Sequence, residues 1–122
     1  MERFPCGGPT LVPVEGEIDI ATADAMRELI LLAAERSLRG CVVVDLSRVG
    51  FFDASGVRAL LTAYRVLTAQ GRHMVLAEPS APARRTLDAL RIHDLIDVYP
   101  IVEMALAHFP GGVDDRSLPG GD

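Results

Sequence analysis

The sequence predicts an α/β domain, and three observations carry the prediction. Short β-branched segments alternate with amphipathic helical ones at the spacing that strand–helix–strand units require. The segment Cys41-Val42-Val43-Val44-Asp45-Leu46 is apolar without alternation, as suits a strand covered on both faces of a parallel or mixed sheet. Gly40 and Gly71 each stand between a helical pattern and the strand that follows it, where a glycine ends a helix most readily. The expected architecture is a mixed β-sheet of about four strands with about four α-helices.

The first strand covers residues 11–18, and Pro13, which cannot donate to a β-ladder, predicts that it lies at a sheet edge or pairs fully on one side only. Asp19 and Thr22 are capping candidates for a helix over 23–38, with Met26, Leu29, Ile30 and Ala33 on its buried face. Leu31 and Leu32 make that helix apolar on a second face, which is read as contact with a neighbouring element. The central strand at 41–46 leads through Val49-Gly50-Phe51-Phe52 to a helix ending near Gln70, with Val57, Leu60, Leu61, Tyr64 and Leu67 turned inward. A strand at 73–77 follows, then a helix over 83–90 opened by Ser80 and Pro82. A strand at 95–99 and a helix at 101–109 close the domain. Residues 1–9 read as an irregular extension, 10–109 as the domain, and 110–122, with their glycines and two prolines, as a flexible tail.

Composition narrows the function. In 122 residues, apolar types make up 49% and charged types 24%, enough for a packed core and unlike a disordered chain. Seventeen acidic against twelve basic residues give a net charge of −5, so no direct binding to nucleic acid or anionic membrane is expected. The longest apolar run, at 29–34, is far short of the ~20 residues that span a bilayer. The N-terminus lacks an apolar signal-peptide core, so a cytoplasmic location is expected. Cys6 and Cys41 make no disulfide framework and no zinc motif; Cys41 reads as a small buried hydrophobe and Cys6 is given no role. Neither a cofactor nor a metal is expected, and Arg84-Arg85 reads as a solvated pair.

The stretch most informative about function is Asp53-Ala54-Ser55-Gly56, a serine between a buried strand and a helix. Ser55 has three candidate roles. It can cap the helix, since a serine hydroxyl accepts from first-turn amides. It can be a nucleophile, but the G-x-S-x-G elbow is absent, Asp53 and Val57 standing where the glycines belong. His73, His93 and His108 read as surface or partly buried spectators, so catalysis is not expected. It can be a phosphoacceptor, because a helix N-terminus tolerates a phosphate and Asp53 is already negative beside it.

Gly16-Glu17-Ile18-Asp19, Val43-Val44-Asp45-Leu46-Ser47 and Phe52-Asp53-Ala54-Ser55-Gly56, in that order, resemble the landmarks of the STAS domain and, more narrowly, of the bacterial anti-sigma factor antagonists. The likeness continues through Gly71, Ala77-Glu78-Pro79-Ser80 and residues 95–99. It implies a protein that is no enzyme. Such a protein binds an anti-sigma factor with serine kinase activity, releases a sigma factor, is switched off by phosphorylation and is restored by a PP2C-type phosphatase. The resemblance carries the phosphoacceptor to Ser55 and the partner surface to Asp19, Asp53, Ala54, Ser55 and Gly56. Asp19 reads equally as a cap, and Gly16 and Gly56 as a turn and a close approach. The alternatives are a STAS module of a larger signalling assembly or the soluble part of a lipid transporter. Two departures stand out. The strand that usually precedes Gly-Glu-Ile-Asp has only residues 1–9 to form from, so the 11–18 strand is expected near an exposed edge. Ala54 also replaces a hydroxyl residue common in relatives, which removes a rival acceptor.

Overall fold

A helix lies between each strand and the next, and a helical crossover returns the chain to begin the next strand in the same direction. The computed structural model, which describes residues 8–37 and 40–108, follows that rule throughout. Strand β1 (Thr10–Ile18) leads to α1 (Ala23–Ser37), β2 (Cys41–Phe52) to α2 (Ala54–Ala69), and β3 (His73–Ala77) to α3 (Ala81–Ala89). A 3₁₀ turn (Ile92–Asp94), β4 (Val98–Tyr99) and α4 (Val102–Leu106) complete the order. Among the described residues the sheet runs β1-β2-β3-β4 with its three pairings parallel, where a mixed sheet was expected. The expected extension at 1–9 and tail at 110–122 lie mostly outside the described residues. Among these, no helix is long and apolar enough to cross a membrane.

The valine run of β2 divides between two cores. Val42, Val44 and Leu46 join Met74, Leu76 and residues of α1, α2 and α3 in the larger one. Val43 joins Val75, Ala77 and Ala105 on the other face, under α4. All three valines are 0% exposed, which explains why the run shows no polar alternation. Each such side chain contributes about 1.5–3 kcal/mol on burial.

Three elements depart from the expected boundaries. Strand β2 continues to Phe52 because its second half still pairs with β1, through Glu15↔Arg48 to Ile18↔Phe52, after pairing with β3 ends at Asp45↔Ala77. Strand β4 is short because Leu95 and Ile96 donate their amides back to the Ile92 carbonyl, closing the 3₁₀ turn instead of pairing. In α1 the buried stripe is Ala23, Met26, Ile30 and Ala34, while Leu29 points outward. That stripe follows the i+3 and i+4 spacing of a helix face, and the competing apolar face had hidden its phase.

Strand β1 is an edge of the described sheet and carries Pro13 opposite Asp45. Its register shifts twice, at Pro13/Glu15 and Gly16/Glu17, and Gly16 sits at φ +91°, a conformation that favours glycine. At the other end of the sheet, Glu78 leaves β3 at φ +51° and its carboxylate accepts the Val102 amide at 3.0 Å, anchoring the start of α4.

Arg72 fastens the end of α1 to the start of β3. Its guanidinium donates to the carbonyls of Ala34 (2.9 Å) and Gly40 (3.2 Å) and to Ser37 Oγ (2.8 Å). Hydrogen bonds to a charged group contribute about 1.5–3 kcal/mol. Arg72→Ala is expected to lower unfolding free energy by about 2 kcal/mol, read as a lower denaturant midpoint at unchanged slope.

Candidate functional site

Two loops leave the carboxyl ends of neighbouring parallel strands, the place where open α/β sheets bind their partners and ligands. One follows β1 and carries Asp19; the other follows β2 and carries Asp53. Their strands pair to the last residue, Ile18↔Phe52, and the Asp53 amide reaches the Ile18 carbonyl at 3.4 Å. Residues far apart in sequence are thus held side by side by ladder geometry.

Each loop is fixed by its aspartate. Asp19 Oδ1 accepts the amides of Ala21 (2.9 Å) and Thr22 (3.2 Å), while Thr22 Oγ1 accepts the Asp19 amide and donates to the Glu17 carbonyl. Asp53 is the N-cap of α2, with extended backbone and its Oδ1 accepting the Ser55 amide at 2.9 Å. The Asp53 carbonyl takes the amides of Gly56 and Val57. Of the roles open to Ser55, capping is therefore filled by Asp53. The first-turn amides considered for holding a phosphate at Ser55, those of Ser55, Gly56 and Val57, are already engaged by Asp53. A phosphate on Ser55 would project from the loop beside a carboxylate.

Gly56 is buried, and its reason is packing. A Cβ there would stand 2.7 Å from the Phe52 ring and 3.0 Å from an Ile18 methyl. The glycine lets the first turn of α2 press onto the ends of β1 and β2. It presents no side chain to a partner; it supports Asp53, Ala54 and Ser55 from beneath.

The Ser55 hydroxyl is half-buried and opens on a shallow groove between the first turns of α1 and α2, lined by Ile20, Asp24, Arg27, Arg58 and Thr62. Arg58 Nη2 donates to Ser55 Oγ at a long 3.5 Å. Arg27 is engaged by Asp24 (3.0 Å) and Glu28 (3.2 Å). Ile20, 82% exposed between the two capped turns, and Arg58, one turn beyond Ser55, were not singled out from sequence. The signal was present in their spacing from Asp19 and Ser55, but only the pairing of β1 with β2 makes them neighbours.

No histidine lines this groove. His93 lies in a separate hollow with Arg84 and Leu87. His73 begins β3, and in a parallel sheet the beginnings of strands lie at the edge opposite to the one that delivers Ser55. There it meets His108 and Cys41; His73 is partly buried, as expected, while His108 is buried. Cys41 is buried, as expected, but disulfide-bonded, which the sequence did not lead us to expect. Burial, and then the neighbouring His108, push the His73 imidazole below the usual histidine range, with Asp97 acting in the opposite sense. Cys6 lies outside the described residues.

Comparison with known proteins assigns the family. The sequence profile of the STAS domain matches residues 6–105. The chain belongs to the STAS domain family. It is 27% identical over 92 residues to the anti-sigma F factor antagonist of Paenibacillus polymyxa, covering 75% of this chain and 79% of that protein. It is similar in structure and sequence to an anti-sigma factor antagonist from Mycobacterium paratuberculosis, with TM-score 0.68 and 30% identity over 82% of this chain and 84% of that one. A sulfate transporter family protein from Wolinella succinogenes has the same fold at TM-score 0.69 and 18% identity, covering 86% and 87%. This STAS domain therefore presents its serine loop on a fold shared by regulators and transporters.

Two outcomes test the local architecture. Gly56→Ala is expected to cost about 1–3 kcal/mol by overpacking against Phe52, seen as a lower Tm. Asp53→Ala is expected to cost about 1 kcal/mol through the lost cap, whereas Asp53→Asn, which keeps an acceptor oxygen, should cost less in the same denaturant titration.

Proposed function

We propose that this protein is an anti-sigma factor antagonist controlled at Ser55. With the hydroxyl unmodified it binds a cognate anti-sigma factor that has serine kinase activity, so that a sigma factor is released. Phosphorylation of Ser55 ends the binding, and a PP2C-type phosphatase restores it. The protein acts in the cytoplasm as a binding module, with no catalysis of its own and no contact with nucleic acid or membrane.

The observation that carries this reading is the division of labour in the β2–α2 loop. Asp53 performs the capping, so the Ser55 hydroxyl faces the groove with one long contact to Arg58. Esterification there leaves the cap intact and changes the surface alone. It adds about −1.5 to −2 charges next to the carboxylate of Asp53. Arg58 offsets one of them, and the loop edge turns strongly anionic. The contact surface comprises Asp19, Asp53, Ala54 and Ser55, with Gly56 as their support. The names of the antagonists from Paenibacillus polymyxa and Mycobacterium paratuberculosis support the same role.

A second reading follows from the fold shared with the Wolinella succinogenes transporter family protein: a STAS module of a larger signalling assembly or of a lipid transporter. Co-purification from native extract separates the two, since the first yields a kinase-type anti-sigma factor and the second a transporter ATPase or other assembly subunits.

The direct test incubates the chain with ATP and the captured kinase. Intact mass should rise by one phosphate, mapped to Ser55 and absent in Ser55→Ala. Ser55→Ala should bind the partner like the parent, and Ser55→Asp about a hundredfold more weakly, which corresponds to about 2.7 kcal/mol. Phosphate on another residue, or unchanged affinity of Ser55→Asp and of the phosphorylated chain, would remove Ser55 from the role.

A further inference from the structure

At the sheet edge opposite Ser55, three side chains capable of binding a metal converge. Cys41 opens β2, His73 opens β3, and His108 follows α4, so they come from separate parts of the chain. Cys41 Sγ lies 3.5 Å from His73 Nδ1, and His73 Nδ1 lies 3.1 Å from His108 Nε2. All three donor atoms fall within 4.8 Å of one another. A tetrahedral zinc ion, with bonds of about 2.1 Å to nitrogen and 2.3 Å to sulfur, holds neighbouring donors about 3.3–3.6 Å apart.

The orientation of His108 is an independent indication. Its Nδ1 donates to the Ala105 carbonyl, which fixes the proton on that nitrogen and turns the Nε2 lone pair toward His73 and Cys41. A backbone carbonyl on the distal nitrogen is the usual outer-sphere partner of a metal-bound imidazole. The Tyr99 ring packs against the His108 ring at 5.4 Å. Cys41 is 1% exposed and His108 7%, so the donors converge in a site largely screened from water.

We propose that the reduced protein binds a divalent cation of the zinc class through Cys41 Sγ, His73 Nδ1 and His108 Nε2. One thiolate and two imidazoles form a donor set that favours zinc over magnesium or calcium. Cys41 is disulfide-bonded, so reduction precedes binding. Two small-molecule thiols give two electrons and two protons to the bridge, which opens to two cysteine thiols as the donors become a disulfide. The metal then takes Cys41 as the thiolate and displaces its proton to solvent. His73 binds through Nδ1 with its own proton on Nε2. The bound ion would pin the segment after α4 to the start of the sheet, and oxidation of Cys41 would eject it. This site is independent of the proposed role of Ser55.

The test uses the full chain, reduced with a phosphine under anaerobic conditions and titrated with Co²⁺. Tetrahedral d–d bands and a thiolate-to-cobalt charge-transfer band are expected at one equivalent, abolished by Zn²⁺ and unaffected by Mg²⁺. Cys41→Ser should lose the charge-transfer band, and His73→Gln and His108→Gln should each bind at least about tenfold more weakly. In the unmutated chain, Zn²⁺ should raise Tm and protect the Cys41 peptide from alkylation, readouts that need no variant to fold. The oxidised protein should show no thiolate–cobalt band. Absence of that band and of protection in the folded reduced protein would leave a hydrogen-bonded histidine pair only and overturn the proposal. Equal cobalt binding by both histidine variants would overturn it as well.

Discussion

The first half of strand β2, from Cys41 to Val44, is buried on both faces, and the rest of the molecule follows from that constraint. Its valines alternate between a core beneath α1, α2 and α3 and a smaller one beneath α4. A strand so enclosed cannot slip by one residue without exchanging the contents of two cores. Its ends are therefore fixed in space. The carboxyl end delivers Phe52, Asp53 and Ser55 to one edge of the sheet, and the amino end places Cys41 at the other.

At the carboxyl edge, rigidity and reactivity are assigned to different residues. Asp19 and Asp53 each commit Oδ1 to backbone amides, and Gly56 lets the helix sit directly on the Phe52 ring. The Ser55 hydroxyl caps no helix and has one long contact, to Arg58. Among the effects that a modification could have there, electrostatics outweighs strain. The half-buried Ser55 lines a groove, and a charge added to its hydroxyl would lie close to the Asp53 carboxylate that holds the helix start.

The two edges also differ in their chemistry. One places a serine in a groove between two helices. The other gathers a sulfur and two imidazoles in a largely buried corner. The sheet separates them, so either can change without a direct contact reaching the other.

The sequence by itself determined the α/β class, the strand–helix alternation and the serine loop. Those features rest on local physics: β-branched runs, capping residues, helix-stopping glycines and a motif contiguous from Phe52 to Gly56. Tertiary structure decided the rest. The parallel direction of every pairing came from the crossovers, and the short β4 from a turn that claimed the amides of Leu95 and Ile96. The phase of the buried stripe in α1 was set by the sheet it packs on, because the helix is apolar on more than one side. Ile20 and Arg58 became groove residues only when β1 and β2 paired. The meeting of Cys41, His73 and His108 was least legible of all, since no spacing rule links three donors that start two strands and follow a helix. Local interactions are written in neighbouring letters, whereas contacts between distant segments exist only once hydrophobic burial has fixed the sheet register.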